Sequence, residues 1–557
     1  MKFNFNGNDF NTNNFQNIYK GMGNKGHIYA VLITLIVAVI IDYVTFPVYS
    51  IKSPSTVMLI AFLLGIFTVL DILLVGKFNK VNKITIFTII IGVGTSFVFQ
   101  FLSSEFLNAE KYQKQINMET FTNFSETYPD IKREDIPIVD KDMAEKLGDK
   151  KLGEVSALGS QFYINKDYTL VSSGGELYRV SPLEYRDFIK WFKNKENGVP
   201  GYIKVNVTDP NDVQLVMLDE GMKYVPSSYL NTNLFRHVRH AYRSELLTDY
   251  SFEIDDEGHP YWVVSTYEPE IGLYGGPDAT GAIVCDAVTG EMKKYNLDNL
   301  PKWVDRVQPV EFAWSQIDNW GYYVNGFVNT IFGQKDMLQT TDGYNYINID
   351  GQTHAFTGMT SIGADRSITG FALINLKTKN AKYYNVGGAD EESAMSSAQG
   401  QVQNLRYTAT FPVLLNIASQ PTYFISLKDG EQLVKLYSFV NVTNYNVVGV
   451  GETVELAQAD YLKKLSSNGQ KVDTEGSSTT LKAKVTAIEK VIIDGNTHYY
   501  LMLDDKPILY TMSVVNNNEL VFTKIGDEVE VKFFQSAKEQ KSYGLIEFDN
   551  LSYDYKN

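Results

Sequence analysis

With 557 residues, 44% of them hydrophobic, the chain has material for three or four domains with sizeable cores. Its formal charge of −15 is unevenly spread: residues 1–110 hold seven lysines and five acids, a net +2, which leaves −17 on the remainder. So acidic a remainder argues against general nucleic-acid binding, and the single cysteine, Cys285, excludes an internal disulfide framework and any multi-cysteine metal site.

Residues 1–26 are rich in Asn, with Gly and Phe and no periodic apolar face, and read as a cytoplasmic tail. Three apolar runs follow, Ile28 to Val48, Thr56 to Val75 and Ile84 to Leu102, each close to the roughly 20 residues that a helix needs to cross a bilayer. A secretory signal fits poorly, because the first run starts late, is long and lacks a small-x-small cleavage site. Lys20 and Lys25 precede the first run and Lys77, Lys80 and Lys83 fill the second connection, whereas the first connection has only Lys52. By the positive-inside rule the amino terminus and second connection are cytoplasmic, and an odd number of spans places everything from about residue 105 outside. Asp42 and Asp71 lie within the runs, where an ionisable group is costly. They sit late in helices of opposite direction, near different interfaces, so helix-packing or interfacial roles are expected ahead of a proton or ion path.

With no Gly or Pro before Pro129, the third helix is expected to continue from Glu105 to Thr127 as a stalk within a connecting region 105–160. Pro137 extends Ile136 to Val139, and Asp140 caps a helix through Leu152 that closes at Gly153. Internal repetition follows. Gly201, Gly281 and Gly370 each open a strand that ends five residues later in Asn206, Asp286 and Asn375. The second and third copies agree further, with Thr289 and Thr378 eight residues after the Gly and Tyr295 and Tyr384 fourteen after. Helical stretches accompany them at Leu183 to Lys195, Leu234 to Leu247 and Glu391 to Leu405, and Asp256-Glu257-Gly258 and Asp429-Gly430 turn hairpins. A helix on an antiparallel sheet, repeated in units 161–230, 231–335 and 336–465, gives each sheet a covered face. The Val310 to Phe332 stretch has helical apolar spacing, and core packing is favoured over a membrane-surface role because no Lys or Arg lies among its polar residues. Beyond a Ser/Gly/Asn/Thr-rich linker at 466–478, five short strands in 479–557, the first pair turned by Asp494-Gly495, read as an OB-like barrel.

The run Tyr261-Trp-Val-Val-Ser-Thr-Tyr, with Asp286-Ala-Val-Thr-Gly-Glu and Tyr295, resembles a PepSY-type module, a small helix-plus-sheet domain of bacterial envelope proteins. The third copy departs from it, with Lys379 and Asn380 in place of Gly and Glu. The whole chain also resembles uncharacterised membrane-anchored proteins of Gram-positive bacteria. The fold class is thus α+β: a three-helix transmembrane anchor (27–104), repeated PepSY/cystatin-like modules and a small C-terminal barrel.

For chemistry, Arg236, Arg239, His240 and Arg243 on one predicted helix suggest a site for phosphate or carboxylate groups, with intramolecular salt bridges as the simpler reading. No hydrolase, nucleotide, zinc or EF-hand motif occurs, and Cys285 lies in an apolar strand. Acids at 268–278 and 390–392 read as loop and helix-start acids rather than a calcium site. On the barrel, Lys482, Lys484, Tyr499 and Tyr500 are candidates for a protein or glycan contact. The expected function is non-enzymatic binding or scaffolding in a bacterial envelope without a cofactor. Its partners would be the lipid bilayer and envelope proteins or anionic wall polymers, with homo-oligomerisation open; the alternative is an envelope enzyme or its regulator with a site between modules.

Overall fold

Apolar runs without a polar face fold as helices because in hydrocarbon each backbone group must be satisfied within its own segment. The computed structural model describes residues 22–129, 136–363, 367–467, 478–493, 496–504, 506–514, 517–534 and 542–552. Most of the expected tail, most of the 466–478 linker and the Asp494-Gly495 turn lie outside these. Helices α1 (Asn24–Thr45), α2 (Pro54–Val75) and α3 (Lys80–Leu102) are long and apolar enough to span a membrane. They form a bundle closed by Gly26, on which a Cβ would meet the Leu74 backbone at 2.9 Å, and by the Thr68 and Thr85 hydroxyls at 2.8 Å.

The expected stalk does not form. Helix α3 stops at Ser103, and Ser104 starts the separate α4 (Glu105–Gln113), broken at Asn108 (φ −127°), whose side chain bonds the carbonyls of Leu102 and Ser104. A short polar side chain has taken carbonyls that a continuous helix would use. The chain then enters β1 (Met118–Phe121), a strand paired in parallel far along the sequence.

Four antiparallel sheets follow, each led by a helix. The first comprises α5 (Lys141–Gly153), β2 (Phe162–Ile164), β3 (Thr169–Ser173), β4 (Glu176–Tyr185), α6 (Phe188–Asn194), β5 (Val199–Asn206) and β6 (Val213–Met222), with β2 and β3 both against β4. The second is α7 (Leu234–Ala241) and the meander β7 (Leu246–Ile254), β8 (Pro260–Ile271), β9 (Gly275–Asp286) and β10 (Met292–Asn296). The third has α8 (Val310–Tyr322), α9 (Phe327–Phe332), β11 (Leu338–Thr340), β12 (Asn345–Ile349), β13 (Gln352–Ser361), β14 (Gly370–Asn375) and β15 (Ala381–Tyr384), with β1 on its edge beside β15. The fourth has α10 (Glu391–Gln401), β16 (Val413–Ile417), β17 (Gln420–Lys428), β18 (Val434–Asn441), β19 (Val448–Gly451) and a closing α11 (Val454–Ser467).

Several expectations are corrected here. Two sheets, rather than one unit, contribute to 336–465. Leu183 lies in a strand, and the helix begins only after Asp187, whose carboxylate accepts from Lys190 N. The helix from Leu234 ends at Ala241 because Leu246 starts a buried strand. The Val310 to Phe332 helix breaks at Tyr323–Gly326, where Gly326 has φ +77°: α8 buries Val310, Ala313 and Ile317, but α9 buries nothing.

The repetition is built into the backbone. Asn206, Asp286, Asn375 and Asn441 close β5, β9, β14 and β18, and their Oδ1 atoms accept from amides two or three residues on. These turns belong to residues whose side chains mimic a backbone turn. The next carbonyls, of Val207, Ala287, Leu376 and Val442, accept from the segments just ahead of α5, α7, α8 and α10, so every unit is clasped to its own leading helix. At Gly281 and Gly370 a Cβ would stand 2.0 and 2.2 Å from the carbonyls of Tyr295 and Tyr384, and at Gly201 it would stand 2.0 Å from that of Val216. The fourth unit lacks this glycine, which is why its repeat is silent in sequence.

Sheets one and two share a core that includes Leu183, Tyr202, Phe252, Trp262 and Ile283; sheets three and four share another around Phe371, Tyr384, Tyr423 and Phe439. The last unit is a closed five-strand barrel of β20 (Ser478–Ile493), β21 (Asn496–Leu503), β22 (Leu509–Ser513), β23 (Glu528–Phe534) and β24 (Ser542–Asn550), in the order β20-β21-β22-β24-β23 with β22 and β24 parallel.

Candidate functional site

The predicted arginine helix faces the anchor. Asn233 caps α7 through Arg236 N, and the first turn then presents Arg236 to the end of α1: its guanidinium stacks 3.9 Å from the Tyr43 ring and 4.9 Å from that of Phe46, and Nη2 donates to Tyr43 O at 3.2 Å. Arg243 donates Nη1 to Asp42 Oδ1 at 3.4 Å, beside the Tyr49 hydroxyl at 2.8 Å. Arg239 satisfies the carbonyls of Tyr242 and Glu245 at the helix end, and His240 is exposed. Arg236 and Arg243 are therefore occupied by the anchor, and the four residues do not converge on one anion site.

Asp71 lies at the opposite end of the bundle and is fully buried. Its Oδ2 accepts from Asn79 and Asn82, both at 2.7 Å, and its Oδ1 pairs with His27, which ties all three helices together. On the barrel, Lys482 pairs with Glu530 at 2.9 Å and Tyr499 packs on the barrel core. Among the described residues no cluster of three His, Cys, Asp or Glu side chains is arranged to hold a metal. Cys285 is buried, and burial pushes its thiol up to about 12.

The site that the structure does build lies where the four sheets meet, a pocket of about 970 Å³ to which every module contributes. Arg179 comes from β4, buried between its neighbours in the strand. It donates Nε to Val139 O at 3.2 Å and has no carboxylate within ion-pair distance among the described residues; burial pushes its guanidinium down. Opposite it, Arg306 leads into the third module and donates Nη2 to Asp249 Oδ2 at 2.7 Å. Asp249 sits at a bulge in β7 with φ +45°, a conformation rare outside glycine, and the bulge turns its carboxylate into the pocket. Lys428 of β17 is buried and pairs with Asp140, whose other oxygen caps α5 through Met143 N. One carboxylate thus serves a helix start and a bridge between the first and fourth modules.

Around these charges stand Tyr250, Tyr346, Trp262 and Phe411. Burial pushes the Tyr250 phenol up to about 12. The buried Nε of Arg306, Nε1 of Trp262 and Oγ1 of Thr353 have no hydrogen-bond partner among the described residues, three unmet donors around one pocket. Lys141, Arg179, Arg306 and Lys428 face Asp140, Asp142, Asp167 and Asp249, so the lining is balanced, and among the described residues Arg179 is the lining cation left without a paired acid. A lone guanidinium among aromatics suits one carboxylate or phosphate group on a ligand with a flat or apolar body.

Two acids brace the wall from behind. Glu253 accepts from Ser251 Oγ at 2.9 Å and Asp305 N at 3.0 Å, and the Asp305 carboxylate accepts from Ser172 N. Burial first, and then the Asp305 charge, pushes Glu253 up to about 8; burial pushes Asp305 to about 7.

Sequence reasoning missed this pocket. Its residues are scattered from Asp140 to Gln432, and the one local signal was a set of lone cations, Arg179, Arg306 and Lys428, inside apolar strand or turn contexts. No family model matches the chain, and no curated protein matches it.

Proposed function

We propose that the chain is a membrane-anchored binding protein of a bacterial cell envelope, whose four helix-and-sheet units hold an anionic envelope component in the pocket between them. The observation that carries this is Arg179: a buried guanidinium without an acid partner among the described residues, in a cavity within the usual ligand-site range of roughly 300–1,000 Å³. Lysine asymmetry supports a cytoplasmic amino terminus and extracytoplasmic modules. The Asp-x-x-Thr-Gly-Glu hairpin, its recurrent side-chain turn and the helix clasp support reading the units as PepSY-like. The barrel's strand order and its parallel closing pair support an OB-like reading, with the acidic charge setting nucleic acid aside.

The test is thermal denaturation of the detergent-purified full chain with soluble glycerol-phosphate oligomers and with carboxylate-bearing muropeptides. A ligand of the pocket raises the midpoint of the native chain and not that of Arg179→Gln. If none shifts the native chain, or if both proteins shift equally, the binding reading fails.

A hydrolytic reading has one foothold, Ser251, which lines the pocket and donates to Glu253. Labelling by a fluorophosphonate probe that Ser251→Ala abolishes would favour it; an unlabelled native chain would leave binding alone.

A further inference from the structure

Two short helices carry large apolar side chains that the fold leaves uncovered. On α9, Val328, Ile331 and Phe332 are more than half exposed, Phe332 at 84%, and share one side with the half-buried Phe327, while Asn329 and Thr330 on the other side bond back into the chain. On α6, Phe188, Ile189 and Phe192 are half or more exposed while Trp191 is buried beneath them. Apolar groups gathered this way on a domain surface mark an interaction site.

Their position says what covers them. Phe101, in the last turn of α3, lies 6.1 Å from Phe106, and Phe106 lies edge-on 5.2 Å from Phe327, so the apolar surface of the span runs without interruption onto α9. On the other flank Phe188 and Trp191 touch Tyr229, at 5.1 and 5.4 Å. Tyr229 and Leu230 share a cleft of about 530 Å³ with Tyr43 and Phe46 at the end of α1. Both helices thus extend the apolar belt of the bundle at the end where α1 stops and α3 leaves. Charge favours the same occupant: within an acidic domain, α6 carries Lys190 and Lys193, which form no ion pair among the described residues, and Lys195 lies over the Phe192 ring at 4.9 Å. Basic residues interleaved with large apolar ones form the pattern of a helix lying in a membrane interface.

We infer that α6 and α9 rest in the interfacial layer of the bilayer that holds the anchor, so the soluble modules sit on the membrane surface rather than swinging above it. This rests on the three apolar helices spanning that bilayer, and the experiment separates the two statements. In a Cys285→Ser background, single cysteines replacing Ile189, Phe332, Val39 within the span and Lys150 on a polar helix are labelled with an environment-sensitive fluorophore. The full-length chain is reconstituted in mixed phosphatidylcholine and phosphatidylglycerol vesicles. Some of the lipids carry a spin-label quencher on the acyl chain close to the glycerol.

The labels at 189 and 332 lose most of their emission to the quencher, that at 39 is quenched by a label deeper in the chain, and that at 150 is untouched. Removing phosphatidylglycerol, or making Lys190→Glu with Lys193→Glu, weakens quenching at 189 and leaves 332 unchanged. If 189 and 332 stay unquenched while 39 is quenched, the anchor stands and interfacial docking is overturned. If 39 is also unquenched, both fall. Labels at 189 and 332 that are shielded only at high protein density point to a second copy of the chain, which also overturns docking.

Discussion

Arg243 and Asp42 stand 201 residues apart in sequence and meet at 3.4 Å, one just past the end of the helix that opens the second module and the other late in the first apolar helix. With Arg236 stacked on Tyr43, the pair fixes the second module to the end of the first apolar helix. An exposed pair of this kind is worth about 0.2–1 kcal/mol, and a stacked guanidinium about 0.5–1 kcal/mol. Arg236→Gln with Arg243→Gln should therefore expose the 46–53 connection to protease several-fold faster while leaving the melting of the modules unchanged. Arg236→Lys should not restore protection, because an ammonium lacks the flat face that stacks on Tyr43.

Asp71 holds three helices through His27, Asn79 and Asn82. Hydrogen bonds to a charged group contribute about 1.5–3 kcal/mol each. Asp71→Leu should strand the buried Asn82 amide and the half-buried Asn79 amide, and sharply lower the yield of folded protein in membranes. Asp71→Asn, with one acceptor left, should fall between. Equal yields for all three would remove the latch.

The acids behind the pocket make stability fall as pH rises. Glu253 and Asp305 hold their protons in the folded state, to about 8 and about 7, whereas the unfolded chain releases them near the ordinary carboxylate range. Between about pH 4.5 and 8 the folded state binds more protons, so unfolding is progressively favoured through that window and levels off above it. The denaturant midpoint should decline across the window by the equivalent of a few kcal/mol, and Glu253→Gln should flatten the slope. A midpoint that rises with pH would reverse the assignment.

Gly281→Ala and Gly370→Ala should each destabilise their hairpin, since the new Cβ would stand 2.0 or 2.2 Å from a carbonyl oxygen. The cost expected of such overpacking is about 1–3 kcal/mol. Amide exchange in β9–β10 or β14–β15 should accelerate, and unaltered exchange would show that the strands can part without loss.

Orientation can be read by chemistry. In the Cys285→Ser background, a cysteine at Lys150 should react with an impermeant maleimide on intact cells and one at Lys77 only after lysis. The opposite pattern would place the modules in the cytoplasm.

Much of the fold was legible. The spans, the Asp140 cap, two of the repeats and the barrel each rest on a local signal: apolar length, one side chain at a helix start, or glycine and turn residues at fixed offsets. What escaped reading depends on distant partners. Nothing between Glu105 and Thr127 announces that Met118 to Phe121 will pair with Ala381 to Tyr384. Arg236 and Arg243, in and just past α7, resemble part of an anion site until Tyr43 and Asp42 are seen to occupy them, and Arg179 gains meaning only from what four modules place around it.

The edge strand β1 has a consequence for biosynthesis. Its partner strand lies roughly 260 residues downstream, and Tyr128 just after it donates to Leu414 O, 286 residues on. At about 5–20 residues per second, a ribosome needs roughly 15–50 s to deliver that partner. Throughout that interval Phe121, Phe124 and Tyr128 have no sheet to cover them, tethered roughly 20–25 residues beyond the third apolar helix, which ends at Leu102. The third module is then threaded onto a strand already waiting, and a nascent chain that stops before Tyr384 would present an unpaired edge and a bare aromatic cluster, the features by which chaperones and proteases select incomplete products.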